Sequence, residues 1–399
     1  MRIQSSGSRP RVFISVNIAW NIVNFRTGLV RALVDSGFEV IVLAERDESL
    51  DELRGLPVRF IRMSIYSRSM NPVRDMRLFG QYLLLFGRNR HRAAAFLGFT
   101  VKPNVYGSLA AKLWGIPVIN NVAGLGHLFN GSAVSGFLAR RLYQIALFRS
   151  KRVFFQNTFD QTLFLERGLV RSRQSALLPG SGVDLVRFRA GEYGGKGPIN
   201  GYRKHGETRF LLITRLLWDK GVGEFAEAAR IVKARHPDVR FVLAGFVEYR
   251  HHTAVPSETI AEWEAEGILE FIGRVHDVRP VIEQADCVVL PTAYREGTPR
   301  VLLEAAAMKR PIITTDVAGA RDVVKDRVSG YLCRPRNPAD LADKMEQFLA
   351  LADRDRRTMG EAGRAHVETH YDENLVIEAY RRELASLVPA GVHHQSGGQ

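Results

Sequence analysis

The chain has 399 residues, 46% of them hydrophobic and 25% charged, with two cysteines and a formal net charge of +14. No apolar run approaches the roughly 18 residues of a membrane-spanning helix, two cysteines build no disulfide framework, and the N-terminus has no segment that reads as a signal peptide. The expectation is a cytosolic protein of two domains, each large enough for its own core.

Taken in chain order, RVFISVNI, FEVIVLAE, AAAFLGF, PVINNV and RVFFQN read as strands of the first half, separated by helix-length segments. RFLLIT, VRFVLAGF, LEFIGR, CVVLPT and PIITTD repeat the rhythm in the second half, with Cys287 in a strand and Cys333 near a turn. Continuous apolar strands alternating with helices predict parallel sheets covered on both faces, hence two doubly wound α/β domains. Residues 1–190 form the predicted first domain, 191–207 a glycine-rich linker, 208–370 the second domain, 371–387 a helix returning to the first, and 388–399 a disordered tail. In such sheets ligands collect at the carboxyl ends of strands, and the cleft between two such domains is the default site.

Charge is divided unevenly. Residues 1–200 hold 28 Lys and Arg against 12 Asp and Glu, whereas residues 201–399 hold 28 against 30. The cationic excess of the first half predicts an anionic partner, whether phosphate, acidic lipid or nucleic acid.

Two constellations stand at predicted strand ends of the second half. Arg215 follows RFLLIT, and Lys220 precedes a helix starting near Gly221. A planar fork beside a mobile point charge suits a diphosphate. Further on, YREGTPRVLLEAAAMKRP carries Glu296 and Glu304 around a predicted helix start, with Thr298 as N-cap, Pro299 at the first helical position and Gly297 before them. The helix is apolar nearly all round, so Glu304 is a carboxylate in a buried surface. Such a residue either accepts hydrogen bonds from sugar or ribose hydroxyls or is satisfied by a neighbouring arginine.

In this order and separation, the two motifs resemble the family-4 retaining glycosyltransferases of GT-B architecture, two Rossmann-like domains facing a central cleft. FQNTFDQTLFLERG, LPGSGVDLVRF and SGYLCRP extend the resemblance over nearly the whole chain. NFRTGLVRALVDSGFEV, TVKPNVYGSLAAKLWGIP and NNVAGLGHLF resemble the members that extend a sugar on a polyprenyl diphosphate. The resemblance implies that Arg215 and Lys220 bind the donor diphosphate and stabilise the departing nucleotide. It implies that Glu304 holds the ribose, and that Glu296 with the backbone of Gly297 and Thr298, next to Pro299, holds the transferred hexose. It further implies a hexose or N-acetylhexosamine from UDP, with GDP next, a lipid-linked glycan acceptor and retention of configuration. No acidic cluster accompanies the site, so transfer without a metal or other cofactor is expected, the nucleotide sugar being a co-substrate.

Acceptor contacts are expected from Asn24, Arg26 and Gly28 after the first strand and from Lys102 and Asn104 before a later helix, with surface charge as the alternative. His127 is a candidate base. His366 and His370 have metal-like helical spacing but no carboxylate completes a site, and they read as helix-surface residues. Residues 76–92 and 136–152 mix apolar positions with cations and are expected to rest on the anionic inner face of the cell membrane. A sugar-nucleotide epimerase, a sugar-nucleotide sensor and a nucleic-acid binder are the rivals; no recognition module supports the last.

Overall fold

A computed structural model describes residues 9–66, 71–124, 141–194, 197–199, 206–248, 251–294 and 297–387. The chain divides into two units, residues 1–181 with 374–399, and residues 182–373.

The first unit holds seven parallel strands in the order β3-β2-β1-β4-β5-β6-β7. They are β1 Arg11–Ile18, β2 Glu39–Glu45, β3 Arg59–Arg62, β4 Ala93–Gly98, β5 Val118–Val122, β6 Arg152–Phe155 and β7 Ser175–Leu177. Alternation along the strands separates two cores. Val12, Ile14, Val40, Val42 and Leu97 point to one face, whereas Phe13, Ile41, Leu43 and Phe96 point to the other. Helix Pro72–Asn89 covers the second face with Leu78, Tyr82 and Phe86. Its start is fixed by Asn71, whose side chain accepts from the Val73 and Arg74 amides, with Pro72 at the first position. The first face is covered in part by helix Glu373–Ala385, which buries Val376, Ile377, Tyr380 and Leu384 there.

The second unit holds six parallel strands in the order β10-β9-β8-β11-β12-β13. They are β8 Arg209–Ile213, β9 Arg240–Ala244, β10 Glu270–Phe271, β11 Cys287–Leu290, β12 Ile312–Thr315 and β13 Gly330–Cys333. All four residues of β11 and of β12 are buried, as central strands between two helix layers must be. Cys287 and Cys333 are both free and buried.

Two expectations need correction. Strands β3, β7 and β13 were not foreseen; all three are sheet edges, and β3 and β7 lack the continuous buried run that announces a central strand. The division between units falls at residue 181, not within 191–207. The described part of that stretch is bound to the second unit, because the Gly191, Glu192 and Tyr193 amides donate to the Glu283 carboxylate at 3.1 Å. Glu283 is itself buried, so the stretch supplies hydrogen bonds that a buried carboxylate requires. The expected tail, 388–399, lies outside the described residues.

Candidate active site

In the second unit the strand order reverses between β8 and β11, so the loops leaving these two strands lie side by side. After β8 the chain passes Arg215, makes a short 3-10 turn over Trp218–Lys220, and enters helix Val222–Lys233 through Gly221. Gly221 has φ +79°, and a Cβ there would stand 2.2 Å from the Pro291 carbonyl oxygen, so only glycine lets the loop lie against the end of β11. The β11 loop is tied to the same turn. The Ala293 and Tyr294 amides donate to the Asp219 carbonyl at 3.0 and 3.2 Å, and Thr292 Oγ1 donates to it at 3.2 Å. Thr315 Oγ1, at the end of β12, donates to the Thr292 carbonyl. Three strand ends are thus bonded into one platform.

Two cations stand on that platform. Lys220 Nζ lies 4.9 Å from the centroid of the Tyr294 ring, a cation–π distance. Arg215 Nη1 donates to Glu248 Oε2 at 3.1 Å, with 42% of the arginine side chain exposed. Glu248 orients the guanidinium while leaving much of it accessible. No sequence signal pointed to Glu248 or Tyr294, because their partners are far away along the chain.

The next helix is Arg300–Ala307, with Pro299 in the cap position and no side-chain cap bond. Thr298 is therefore not the N-cap that the sequence suggested. Pro299 has an extended ψ of 117°, which delays the helix by one residue, and proline also disfavours helical backbone in the residue before it. Gly297 and Pro299 are buried and Thr298 is half-buried. Leu302, Leu303 and Ala305 to Ala307 are buried as expected of an all-round apolar helix. Glu304 is held by Arg300, Nε to Oε1 at 3.0 Å, one helical turn away. Burial pushes its carboxyl upward from the ordinary glutamate range, and the positive charges of Arg300 and Arg187 oppose that rise. The arginine-satisfied alternative is thus present, and it leaves the second carboxylate oxygen to other donors. The Arg300–Glu304 spacing of four was legible in the sequence and was missed. Glu296 and His127 lie outside the described residues.

The first unit has its own switch point, between β1 and β4. A cavity of about 240 Å³ opens there, lined among others by Asn17, Phe99, Thr100, Lys102 and Tyr143. Of the expected acceptor residues, Lys102 lines it but is 9% exposed, with its ammonium bonded to Asp75. Tyr106 donates to the other Asp75 oxygen at 2.9 Å. Arg26 is 7% exposed and stacks on Phe99, 4.1 Å from the ring centroid. Asn104 is an interior residue. It donates to the Asn121 carbonyl and accepts from Asn120, both at 2.9 Å, and it lines the cavity together with Lys102. Asn24 is half-buried and bonded to the Trp20 carbonyl, and Gly28 sits in helix Thr27–Asp35. The polar atoms that the sequence did not single out are Asn17 Oδ1 and Thr100 Oγ1, both buried without a hydrogen-bond partner among the described residues. A buried polar atom left so is costly unless a ligand or water meets it.

His366 and His370 lie against each other with ring centroids 4.7 Å apart and planes tilted by 37°. Each is bonded to a backbone carbonyl, of Asp322 and His366 respectively.

Comparison with known proteins agrees with this geometry. Residues 22–180 match the glycosyl transferase 4-like domain, and residues 200–366 match the glycosyl transferases group 1. The chain is 27% identical over 380 residues to the N,N'-diacetylbacillosaminyl-diphospho-undecaprenol alpha-1,3-N-acetylgalactosaminyltransferase of Campylobacter jejuni, covering 90% of this chain and 94% of that one. It is 24% identical over 309 residues to the UDP-Gal:alpha-D-GlcNAc-diphosphoundecaprenol alpha-1,3-galactosyltransferase of Escherichia coli, covering 75% and 77%. Anabaena HepE, solved in complex with UDP-glucose, shares the fold with a TM-score of 0.77 and 15% identity over 95% of this chain and all of that one. With one matched domain in each half and the sheet order of both units accounted for, the chain belongs to the glycosyltransferases of GT-B fold.

Proposed function

We propose that this glycosyltransferase moves a hexose or N-acetylhexosamine from a UDP sugar to a glycan carried on a polyprenyl diphosphate, with retention and without a metal. The observation that carries the reading is the platform of the second unit, where Arg215 and Lys220 share one loop bonded to the end of β11. Breaking the sugar–phosphate bond develops an oxocarbenium-like sugar and an anionic nucleotide, and cations fixed in advance stabilise the departing anion. The acceptor hydroxyl oxygen bonds to the anomeric carbon as the bond to the diphosphate breaks, and the leaving phosphate takes the hydroxyl proton. Glu304 holds the ribose hydroxyls, and Glu296, Gly297 and Thr298 hold the hexose. The names of the Campylobacter and Escherichia relatives, both specifying diphospho-undecaprenol substrates, support the acceptor class. Asn17, Thr100 and the Phe99 and Tyr143 rings suit the uncharged sugar of that acceptor, with Lys102, Asn24, Arg26 and Gly28 shaping the surroundings.

A lipid-linked acceptor favours contact with the inner face of the cell membrane. Among the described residues no helix is long and apolar enough to cross a membrane. Met76, Leu84, Ile145 and Phe148 are exposed within the two basic stretches 76–92 and 136–152, of which residues 136–140 lie outside the described ones. Each near-surface cation there adds about 1 kcal/mol on an acidic bilayer. Sedimentation with acidic liposomes that weakens in salt supports this placement; indifference to lipid charge removes it.

The deciding experiment screens nucleotide sugars against polyprenyl-diphosphate acceptors, with and without EDTA. It compares the native chain with Lys220→Ala and Glu304→Ala. A UDP sugar turned over in EDTA to an α-configured product from an α-configured donor is the expected result, with both variants losing donor binding or turnover. An inverted product, or sugar-nucleotide isomerisation with no acceptor present, overturns it.

A further inference from the structure

The second unit has a second polar cavity, of about 490 Å³, at the amino ends of its strands. Its walls are the residues preceding β8, β11 and β12 together with the first turn of helix Asp353–His370. The Arg215 loop leaves the opposite ends of the same strands. Five residues of β8 at 3.3 Å each put roughly 16 Å between the two places.

Four cations line this cavity: Lys309, Arg310, Arg356 and Arg357. Two of the carboxylates beside them also have partners outside the cavity lining. Glu207 accepts from Arg209 Nε and lies 3.7 Å from Arg240, and Asp286 accepts the Arg209 amide at 2.8 Å. Asp353 alone opens on the rim as an exposed acid. Donor capacity, in contrast, is left over. Arg356 donates to Thr208 Oγ1 at 3.2 Å and to the Leu349 carbonyl at 2.7 Å, while its Nε is buried with no acceptor. The Arg357 side chain makes no hydrogen bond or ion pair among the described residues. Lys309 reaches Glu361 only at 4.0 Å, on the exposed surface.

The cations are also held in place. Lys309 has φ 57°, a left-handed conformation in which glycine is unstrained and lysine is not. Gly360 packs so closely on it that a Cβ would stand 2.1 Å from the Lys309 carbonyl oxygen. The turn before β12 and the helix bearing Arg356 and Arg357 therefore form one preset wall. Guanidinium forks with unused donors, a mobile ammonium and helix amides make an environment for a phosphoryl group.

We propose that this cavity binds a small phosphate compound with at least two negative charges, at a site separate from the donor platform. The inorganic ion and a sugar phosphate offer the same group. The cavity lies within the size range of small-molecule pockets, and occupancy ties the turn before β12 to helix Asp353–His370.

The test uses the full chain carrying Arg215→Ala and Lys220→Ala, so that the donor platform no longer binds diphosphate. Calorimetric titration with inorganic phosphate, pyrophosphate and galactose 1-phosphate should show one remaining site. The further pair Lys309→Gly and Arg357→Ala should weaken it at least tenfold. That pair should not lower Tm, since glycine is at ease at φ 57° and Arg357 is exposed, and it should leave basal turnover of the otherwise native enzyme unchanged. The order of the three affinities tells the inorganic ion from the sugar phosphate. Absence of binding in the platform variant overturns the proposal, as does binding indifferent to Lys309→Gly and Arg357→Ala.

Discussion

The two switch points of this molecule share a topology and differ in what they do with charge. At the end of β8, Arg215 keeps 42% of its side chain exposed and Lys220 stands over Tyr294 on a loop fixed by backbone bonds. At the ends of β1 and β4, Arg26 and Lys102 are turned inward, one stacked on Phe99 and the other bonded to Asp75. The neutral Asn17 and Thr100 are left there with unanswered polar atoms. A cation at a strand's carboxyl end therefore says little by itself. What distinguishes the two places is exposure: Arg215 keeps much of its guanidinium accessible beside Glu248, whereas Arg26 and Lys102 are nearly buried.

This contrast can be broken by mutation. The largest effect is expected at Lys220→Ala, a fall in kcat of about 10²–10³-fold or more, as for removal of one transition-state charge contact, with little change in Tm. Lys102→Ala should do the reverse. It strands Asp75 in a nearly buried place and costs about 3–5 kcal/mol of stability, seen in denaturant unfolding, while the folded fraction keeps its kcat. A Lys102→Ala enzyme that is stable but inactive would erase the distinction between the two switch points.

Gly221→Ala comes next. The clash with the Pro291 carbonyl and a positive φ together should cost more than about 1 kcal/mol and lower kcat through the displaced Lys220 loop. Asn104→Ala should lose about 1–3 kcal/mol by removing the hydrogen bonds that its amide makes with Asn120 and the Asn121 carbonyl, with acceptor KM unchanged. A raised acceptor KM at native stability would make Asn104 part of the binding surface.

The smallest effect concerns Glu304. Its folded-state carboxyl titrates above the unfolded value because of burial, so the unfolded chain gives up the proton first as pH rises. Its contribution to stability is complete below the ordinary glutamate range and is lost as pH rises through the raised value. Thermal unfolding between pH 4 and 8 should show that slope in the native chain and not in Glu304→Gln; parallel curves would mean that Arg300 cancels the burial.

Central elements were easy to read from the sequence because they obey local rules. RVFISVNI became β1 residue for residue, and CVVLPT and PIITTD contain β11 and β12. Being buried on both faces, such strands carry nearly continuous apolar runs that make the signal clear. The edge strands β3, β7 and β13 were missed; β3 and β7 are only partly covered, and all three look like loop in one dimension. For the site, the Arg215–Lys220 loop and Glu304 were legible from spacing, whereas Glu248, Tyr294 and the orphaned Asn17 and Thr100 were not.

Periodicity and residue type by themselves determined two parallel α/β units and the placing of Arg215, Lys220 and Glu304 near strand ends, while the motifs carried the resemblance to glycosyltransferases. Only the folded chain decided which charges stay exposed and where one unit gives way to the other. Hydrophobic period is a property of neighbours along the chain, but a salt bridge such as Lys102 to Asp75 joins residues that meet only after the sheet has formed.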